Sequence, residues 1–309
     1  MTSRLRAYLE LTRPANVVTA FADILAGFAA ATSLSLAIRV SGGLVVAVDP
    51  ERLSMESLLA LLISTVGLYA GGVVLNDFFD AALDALERPE RPIPSSRVSR
   101  ASAGLFGAAL LLVGVAAAAF VSLTSAILAA FIALLVVVYD ARGKHHTLLG
   151  PLNMGMCRGG NLLLGVSAAP AALSELWFLA LLPIAYIGAV TAVSRGEVHG
   201  GSASTGILAI GLAGGVAAAL LLLGIRTGYR TMHALSYVVI FIVLVFPAFF
   251  RAATQPTPVV IRRAVKRGVL SLVVMDASIA AGFAGWPTGL AVLALLPISY
   301  GLARLFPVT

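Results

Sequence analysis

Charge is scarce in this chain. Only 11% of its 309 residues are Asp, Glu, Lys or Arg, where soluble domains carry about 25%. With 60% apolar residues and a mean hydropathy of +1.00, a water-soluble domain is excluded and a lipid bilayer is the expected solvent. Alternating strands of about ten residues are also lacking, which excludes an outer-membrane barrel and leaves helices, the other structure that satisfies its own backbone in lipid. A single cysteine, Cys157, excludes an internal disulfide framework. The net charge of +7 is read as a determinant of membrane orientation, so no nucleic-acid partner is expected.

What is present is a series of uncharged blocks, each long enough to cross about 30 Å of hydrocarbon at roughly 1.5 Å per residue. They run near 17–38, 57–75, 101–121, 125–139, 148–173, 176–194, 205–225, 231–250, 268–285 and 286–303. The uncharged 39 residues from 101 to 139 would make a helix of about 58 Å, so the chain must fold back, with the turn expected at Ser122–Ser125. The last two blocks either turn at Gly285-Trp286-Pro287 or leave one of them along the interface, so about nine spans are expected, with a tenth C-terminal segment as the alternative. Arg4, Arg6 and Arg13 precede the first block, but the apolar run is too long for a signal and no small-residue cleavage site follows, so it is read as a permanent helix. With a cytoplasmic N-terminus, the inner segments hold sixteen of the 21 Lys and Arg residues, and the outer ones hold Arg39, Arg52, Arg226 and Arg230. That bias places the loops after the second, fourth and sixth spans on the cytoplasmic face of an inner or plasma membrane.

Those loops carry the polar chemistry. The second span runs into Asn76-Asp77-Phe78-Phe79-Asp80-Ala81-Ala82-Leu83-Asp84. At 100° per residue, Asn76, Asp77, Asp80 and Asp84 share one helix face within about 100° of arc. Crowded acids at a membrane edge need a cationic partner, and Mg²⁺ held by one or two carboxylates plus substrate phosphate oxygens meets that need; a solvated helix end whose acids happen to align is the alternative. A loop with Pro89, Pro92 and Pro94 and the arginines Arg88, Arg91, Arg97 and Arg100 follows. Its stiff backbone suits guanidinium groups aimed at a diphosphate. The fourth span ends in Tyr139-Asp140-Ala141-Arg142-Gly143-Lys144, whose cations serve either phosphate binding or topology. Arg158, Asp23 and Asp276 lie inside spans. Buried there, each is a candidate functional group or one half of an internal pair.

These residues resemble the UbiA superfamily of intramembrane prenyltransferases. The likeness is carried by Leu11-Thr12-Arg13-Pro14-Ala15-Asn16, by the N-D-x-x-D-x-x-x-D run from Asn76 to Asp84 and by Arg91-Pro92-Ile93-Pro94-Ser95. Tyr139 with Lys144 and Leu149-Gly150-Pro151-Leu152-Asn153 also carry it, so it spans roughly the first two hundred residues. The resemblance implies an all-α fold of about nine helices around a central cavity, and Mg²⁺-dependent transfer of an isoprenyl group from its diphosphate to an acceptor. A second acidic motif, D-x-x-x-D, closes the sixth span in that family. Here Ser194-Arg195-Gly196-Glu197-Val198-His199-Gly200-Gly201 stands in its place, with Glu197 at the first acidic position and Gly201 at the second. One carboxylate is missing, and imidazole from His199 is a poor substitute for Mg²⁺. This variant looks like the divergent UbiA-like branch of ebo-type gene clusters.

The expectation is therefore one integral-membrane domain over residues 1–309, with a polyprenyl diphosphate as donor, an aromatic or lipophilic acceptor and the bilayer as its partners. Asn76, Asp77, Asp80 and Asp84 are expected to hold Mg²⁺, and Asp80, Asp84 and Lys144 to be catalytic. Asn16, Arg91, Tyr139, Arg142, Asn153, Arg158 and Glu197 are expected to bind substrate. Other classes remain at this stage: a lapsed relative that only binds or carries a polyprenyl lipid, a small-molecule transporter, and a CDP-alcohol phosphotransferase, whose D-G-x-x-A-R lead-in is absent before Asp77.

Overall fold

The structure, a computed structural model, describes residues 3–40, 53–225 and 228–306, with residues 3, 37–40 and 145 described by backbone alone. Arg52, Arg226 and the side chain of Arg39, assigned above to the outer face, lie outside the described residues. The described residues form fourteen α-helices joined by short turns and contain no strand. Helices α1 (Ser3–Thr12) and α2 (Pro14–Val40) meet at Arg13, which has φ of +44°. Then follow α3 (Met55–Phe79), α4 (Ala81–Glu87), α5 (Arg100–Val121), α6 (Leu123–Ala141) and α7 (Leu149–Val166). After α7 come α8 (Leu173–Leu176), α9 (Leu181–Ser194), α10 (Ala203–Leu222), α11 (Thr231–Thr254) and α12 (Pro258–Ala284), with α13 (Trp286–Leu293) and α14 (Leu295–Leu305) last. Four of these helices start on a serine whose hydroxyl accepts a backbone N–H of the first turn: Ser54, Ser99, Ser122 and Ser202. Each satisfies a donor that the helix itself cannot. The turn expected at 122–125 is thus a cap, with Ser122 closing α5 and opening α6.

Among the described residues nine segments are long and apolar enough to span a membrane, Trp286–Leu305 among them. The C-terminal block therefore counts as a span, bent at Ala294 and turned from α12 at Gly285, whose φ of +95° suits glycine. The block read as 148–173 is shorter than expected. Helix α7 ends at Val166, and the next apolar segment runs from Pro170 to Ser194. Helix α7 is too polar for the nine because one face carries Asn153, Arg158 and Asn161, yet all three side chains are buried within the bundle.

Small residues let the helices that frame the interior approach closely, as expected where lipid supplies no hydrophobic drive between them. On α3, a Cβ added at Gly67 would lie 2.5 Å from the Leu110 carbonyl oxygen of α5. On α7, Cβ atoms at Gly155 and Gly159 would lie 2.6 and 2.8 Å from the carbonyl oxygens of Ile184 and Ala180. The same helix meets α2 through Gly165, so its glycine faces fix it and its polar side chains turn inward. Helix α12 packs against α2, α9, α11 and α13, and 78% of its apolar stretch is buried, against 17% for the α13–α14 segment.

Candidate active site

A cavity of about 280 Å³ opens beside the acidic run. Its mouth is formed by Arg13, Asn16, Asn76, Tyr139 and Asp140, its walls by Leu68, Tyr69, Val73, Ile132, Val136, Met154 and Cys157, and its inner end by Thr65, Arg158 and Asn161. Four helices, α2, α3, α6 and α7, thus contribute to it.

At the mouth the acidic run straddles a junction: α3 ends at Phe79, Asp80 is the shared cap residue, and α4 begins at Ala81. Backbone bonds from Asp80 N–H to the Asn76 oxygen and from Asp84 N–H to the Asp80 oxygen keep the helical phase across it. The four polar groups share a face as expected, but they serve two sets of partners. Asp77 and Asp84, seven residues apart, both accept from Arg91, at 3.2 and 2.8 Å, and Asp77 also pairs with Arg13. Asn76 and Asp80 turn toward α6 and its exit. Asn76 Nδ2 donates to Asp140 Oδ1 at 3.0 Å, and Lys144 Nζ donates to Asp80. The proline-rich loop that positions Arg91 is tied down by Arg97, which pairs with Glu10 of α1, and by Val98 N–H donating to the Pro92 oxygen. Arg100 donates to the Phe78 carbonyl oxygen and lies 4.8 Å from the Phe78 ring centroid.

Three carboxylates (Asp77, Asp80 and Asp84) thus face three cations (Arg13, Arg91 and Lys144) from this chain. Asp77, Asp80 and Asp84 therefore already have cationic partners within the protein, which the reading of an acid patch in need of a metal did not foresee, while Asp140 at the same mouth is met by the Asn76 amide. Among the described residues no three His, Cys, Asp or Glu side chains lie close enough to hold a metal ion by themselves. Mg²⁺ can be held by one or two carboxylates, taking its other ligands from phosphate and water. The donor set is also chemically suited, with hard oxygens and Asp80 the most accessible of the three acids at 22% side-chain exposure.

Other expected site residues divide. Asn16, Tyr139 and Arg158 line the cavity, and Arg91 and Lys144 guard its mouth. Asn153 is buried one turn from Cys157, whose Sγ donates to it at 3.6 Å. Arg142 is exposed and, among the described residues, makes no ion pair. Glu197 is half-buried beside α12; burial raises its carboxyl above the usual range against the pull of Arg262 and Arg88. Gly201 donates its N–H to the Pro256 oxygen. Two site residues escaped the sequence reading, Arg13 and Asp140. Each stood inside a quoted motif, but their partners are Asp77 and Asn76, 64 residues away, and no local pattern reports such a pairing.

Comparison with known proteins bears on this geometry. The sequence profile of the UbiA prenyltransferase family matches residues 35–258. Digeranylgeranylglyceryl phosphate synthase from Methanopyrus kandleri is 32% identical over 177 residues, 57% of this chain and 58% of that protein. The synthase of the same name from Methanosarcina mazei is 35% identical over 191 residues, 60% and 63%. The chain thus spans about six tenths of the length of these relatives. The solved structure of a UbiA homologue from Archaeoglobus fulgidus bound to DMAPP and Mg²⁺ superposes with a TM-score of 0.64 at 15% identity, covering 93% of this chain and 99% of that one.

Proposed function

The chain belongs to the UbiA prenyltransferase family, a family of multi-pass membrane proteins, and from that membership we propose that it transfers a prenyl group from a polyprenyl diphosphate to a lipophilic acceptor inside the bilayer. The observation that carries this reading is the junction of two environments. A cluster of acids and cations at the mouth opens directly onto a cavity walled by Leu68, Val73, Ile132, Val136 and Met154. The first suits a diphosphate, and the second suits an allylic cation that must be kept from water. The mouth is proposed to face the cytoplasm, following the excess of Lys and Arg on that side.

In this mechanism Arg91 and Lys144 exchange part of their contact with Asp84 and Asp80 for diphosphate oxygens. Breaking the allylic C–O bond leaves negative charge on the departing diphosphate, so cations fixed there favour the transition state over the ground state. Arg13, held by Asp77, keeps a third positive charge at the same opening. Of the four residues expected to hold Mg²⁺, Asp80 with Asn76 beside it would hold the ion, Asp77 and Asp84 staying engaged with Arg13 and Arg91, and the bound ion would supply neutralisation of the diphosphate charge. Tyr139 and Asn16 border the space where the first isoprene unit leaves the mouth. The apolar walls exclude water until an electron-rich acceptor attacks.

The test is prenyl transfer and diphosphate release by purified protein in nanodiscs. Asp80→Ala and Asp84→Ala, or chelation of divalent ions in the wild type, are expected to lower the rate by about 10² or more. Equal rates would remove the acidic run from the chemistry. A second reading, a relative that binds a polyprenyl lipid without turnover, is favoured by Gly201, which leaves the second acidic motif one carboxylate short. An added Cβ there would crowd the movable tip of Ile261, at 2.9 Å, and otherwise make ordinary contact with Gly196 at 3.9 Å, so Gly201→Asp is expected to fold. Turnover that appears only in that variant supports the second reading.

A further inference from the structure

The inner end of the cavity is polar, although it lies the length of eleven residues of α3, about 16 Å, from Asn76. Arg158 is buried there, with its guanidinium carbon 5.8 Å from the Tyr69 ring centroid. One Nη donates to the Thr19 carbonyl oxygen, while Nε lies 3.1 Å from Asp23 Oδ2 without a well-aligned hydrogen bond. Asn161 spends both amide hydrogens on the Ala20 oxygen and Asp23 Oδ2, and its oxygen accepts from Thr65. Behind this layer sits Asp276 of α12, fully buried, with neither oxygen meeting a donor among the described residues. The Asp23 carboxyl faces it, and Arg158 lies on the far side of Asp23. Asp23 has a cation and an amide donor beside it, whereas a carboxyl sealed in hydrocarbon with no donor and a second carboxyl facing it is accommodated only with its proton on. The pair then carries one negative charge and Arg158 one positive charge, so the floor is neutral.

A floor of guanidinium and amide is a poor end-stop for an isoprenyl tail, which would leave those groups unsolvated. It is equally poor for a phosphate or carboxylate, which would bring an unbalanced charge to a site whose one cation is already matched. We propose, building on the prenyl-transfer reading, that Arg158 anchors an uncharged oxygen of the acceptor, of phenol, alcohol or carbonyl type, remote from the atom that is prenylated. The Asp23–Asp276 pair selects for it by holding the floor neutral, and anionic acceptor groups are rejected there.

The test uses the full chain in nanodiscs with Mg²⁺ and inorganic diphosphate present to fill the mouth, and reads equilibrium binding of 4-octylphenol against 4-octylphenyl phosphate. Wild type is expected to favour the phenol by about tenfold or more. Asp276→Asn alone keeps the floor neutral, since Asp23 then pairs with Arg158, and should leave that preference unchanged. Asp23→Asn with Asp276→Asn leaves Arg158 uncompensated and should bring the phosphate to equal or tighter binding. Arg158→Gln should weaken the phenol by about tenfold, the loss of one charged donor. Absent phenol binding, or phosphate bound as well as phenol by the wild type, overturns the proposal without recourse to any variant; so does an unchanged preference in the folded double variant. Donor turnover, measured separately, reports on the prenyl-transfer reading. A protein that selects phenol but releases no diphosphate keeps the inference and loses that reading.

Discussion

Arg91 holds two carboxylates at once, with its own side chain only 10% exposed. Replacing it with alanine leaves Asp84 buried without its cation, and breaking a pair in such surroundings costs about 3–5 kcal/mol. Arg91→Ala should therefore lower the thermal midpoint in detergent markedly. Arg91→Lys keeps the charge but replaces the planar guanidinium, whose Nη1 reaches both acids, with a compact ammonium, and should fall between. Differential scanning fluorimetry of the three proteins checks the order. At this scale the sequence was informative about identity and silent about pairing. Asn76 to Asp84 was legible because its spacing repeats along one helix face. That Asp77 answers to Arg13 and Arg91, and Asp80 to Lys144, depends on how α1, α3 and α6 are stacked, which no residue's neighbours in the chain record.

Helix α7 places Arg158 and Asn161, and two glycines hold it in position. Because Cβ atoms at Gly155 and Gly159 would press on backbone oxygens of Ile184 and Ala180, movement of a side-chain tip cannot relieve the contact. Gly159→Val is expected to cost about 1–3 kcal/mol through overpacking and to displace the cavity's inner end. Gly211→Ala in α10, where an added Cβ meets nothing within 4 Å, should be neutral or stabilising by up to about 1 kcal/mol. Urea or thermal unfolding of both variants separates close approach from mere helix propensity. Helix α7 is also where the block reading failed. Apolarity and length found the fold-back at Ser122 and the turn at Gly285, because caps and glycines punctuate both. A helix whose polar face turns inward to a cavity violates the apolar pattern by which spans are recognised, so its end was drawn seven residues too late.

At the scale of the whole molecule, the all-helical class and the multi-pass architecture were legible from composition and block length, since a bilayer permits few alternatives, while the central cavity was implied by the family resemblance of the motifs. Charge bookkeeping was not. Asp77, Asp80 and Asp84 at the mouth and the carboxyl pair at the floor each meet an arginine or lysine from a distant segment of the chain, so both polar ends of the cavity are products of assembly. The bundle's anatomy is also uneven, with α12 embedded among four helices and the C-terminal segment resting on the periphery. Under mechanical load such a structure should come apart from its edge inward. A tether pulled at the C-terminus should extract α13 and α14 at low force as an early step, then meet a much larger rupture when α12 is drawn from between its neighbours, taking Asp276 away from Asp23. Single-molecule force spectroscopy that recorded one uniform series of equal peaks would contradict this order. The same anatomy locates tolerance to change: the peripheral segment can shift with bilayer thickness while the central strut, and the cavity floor it backs, stay where they are.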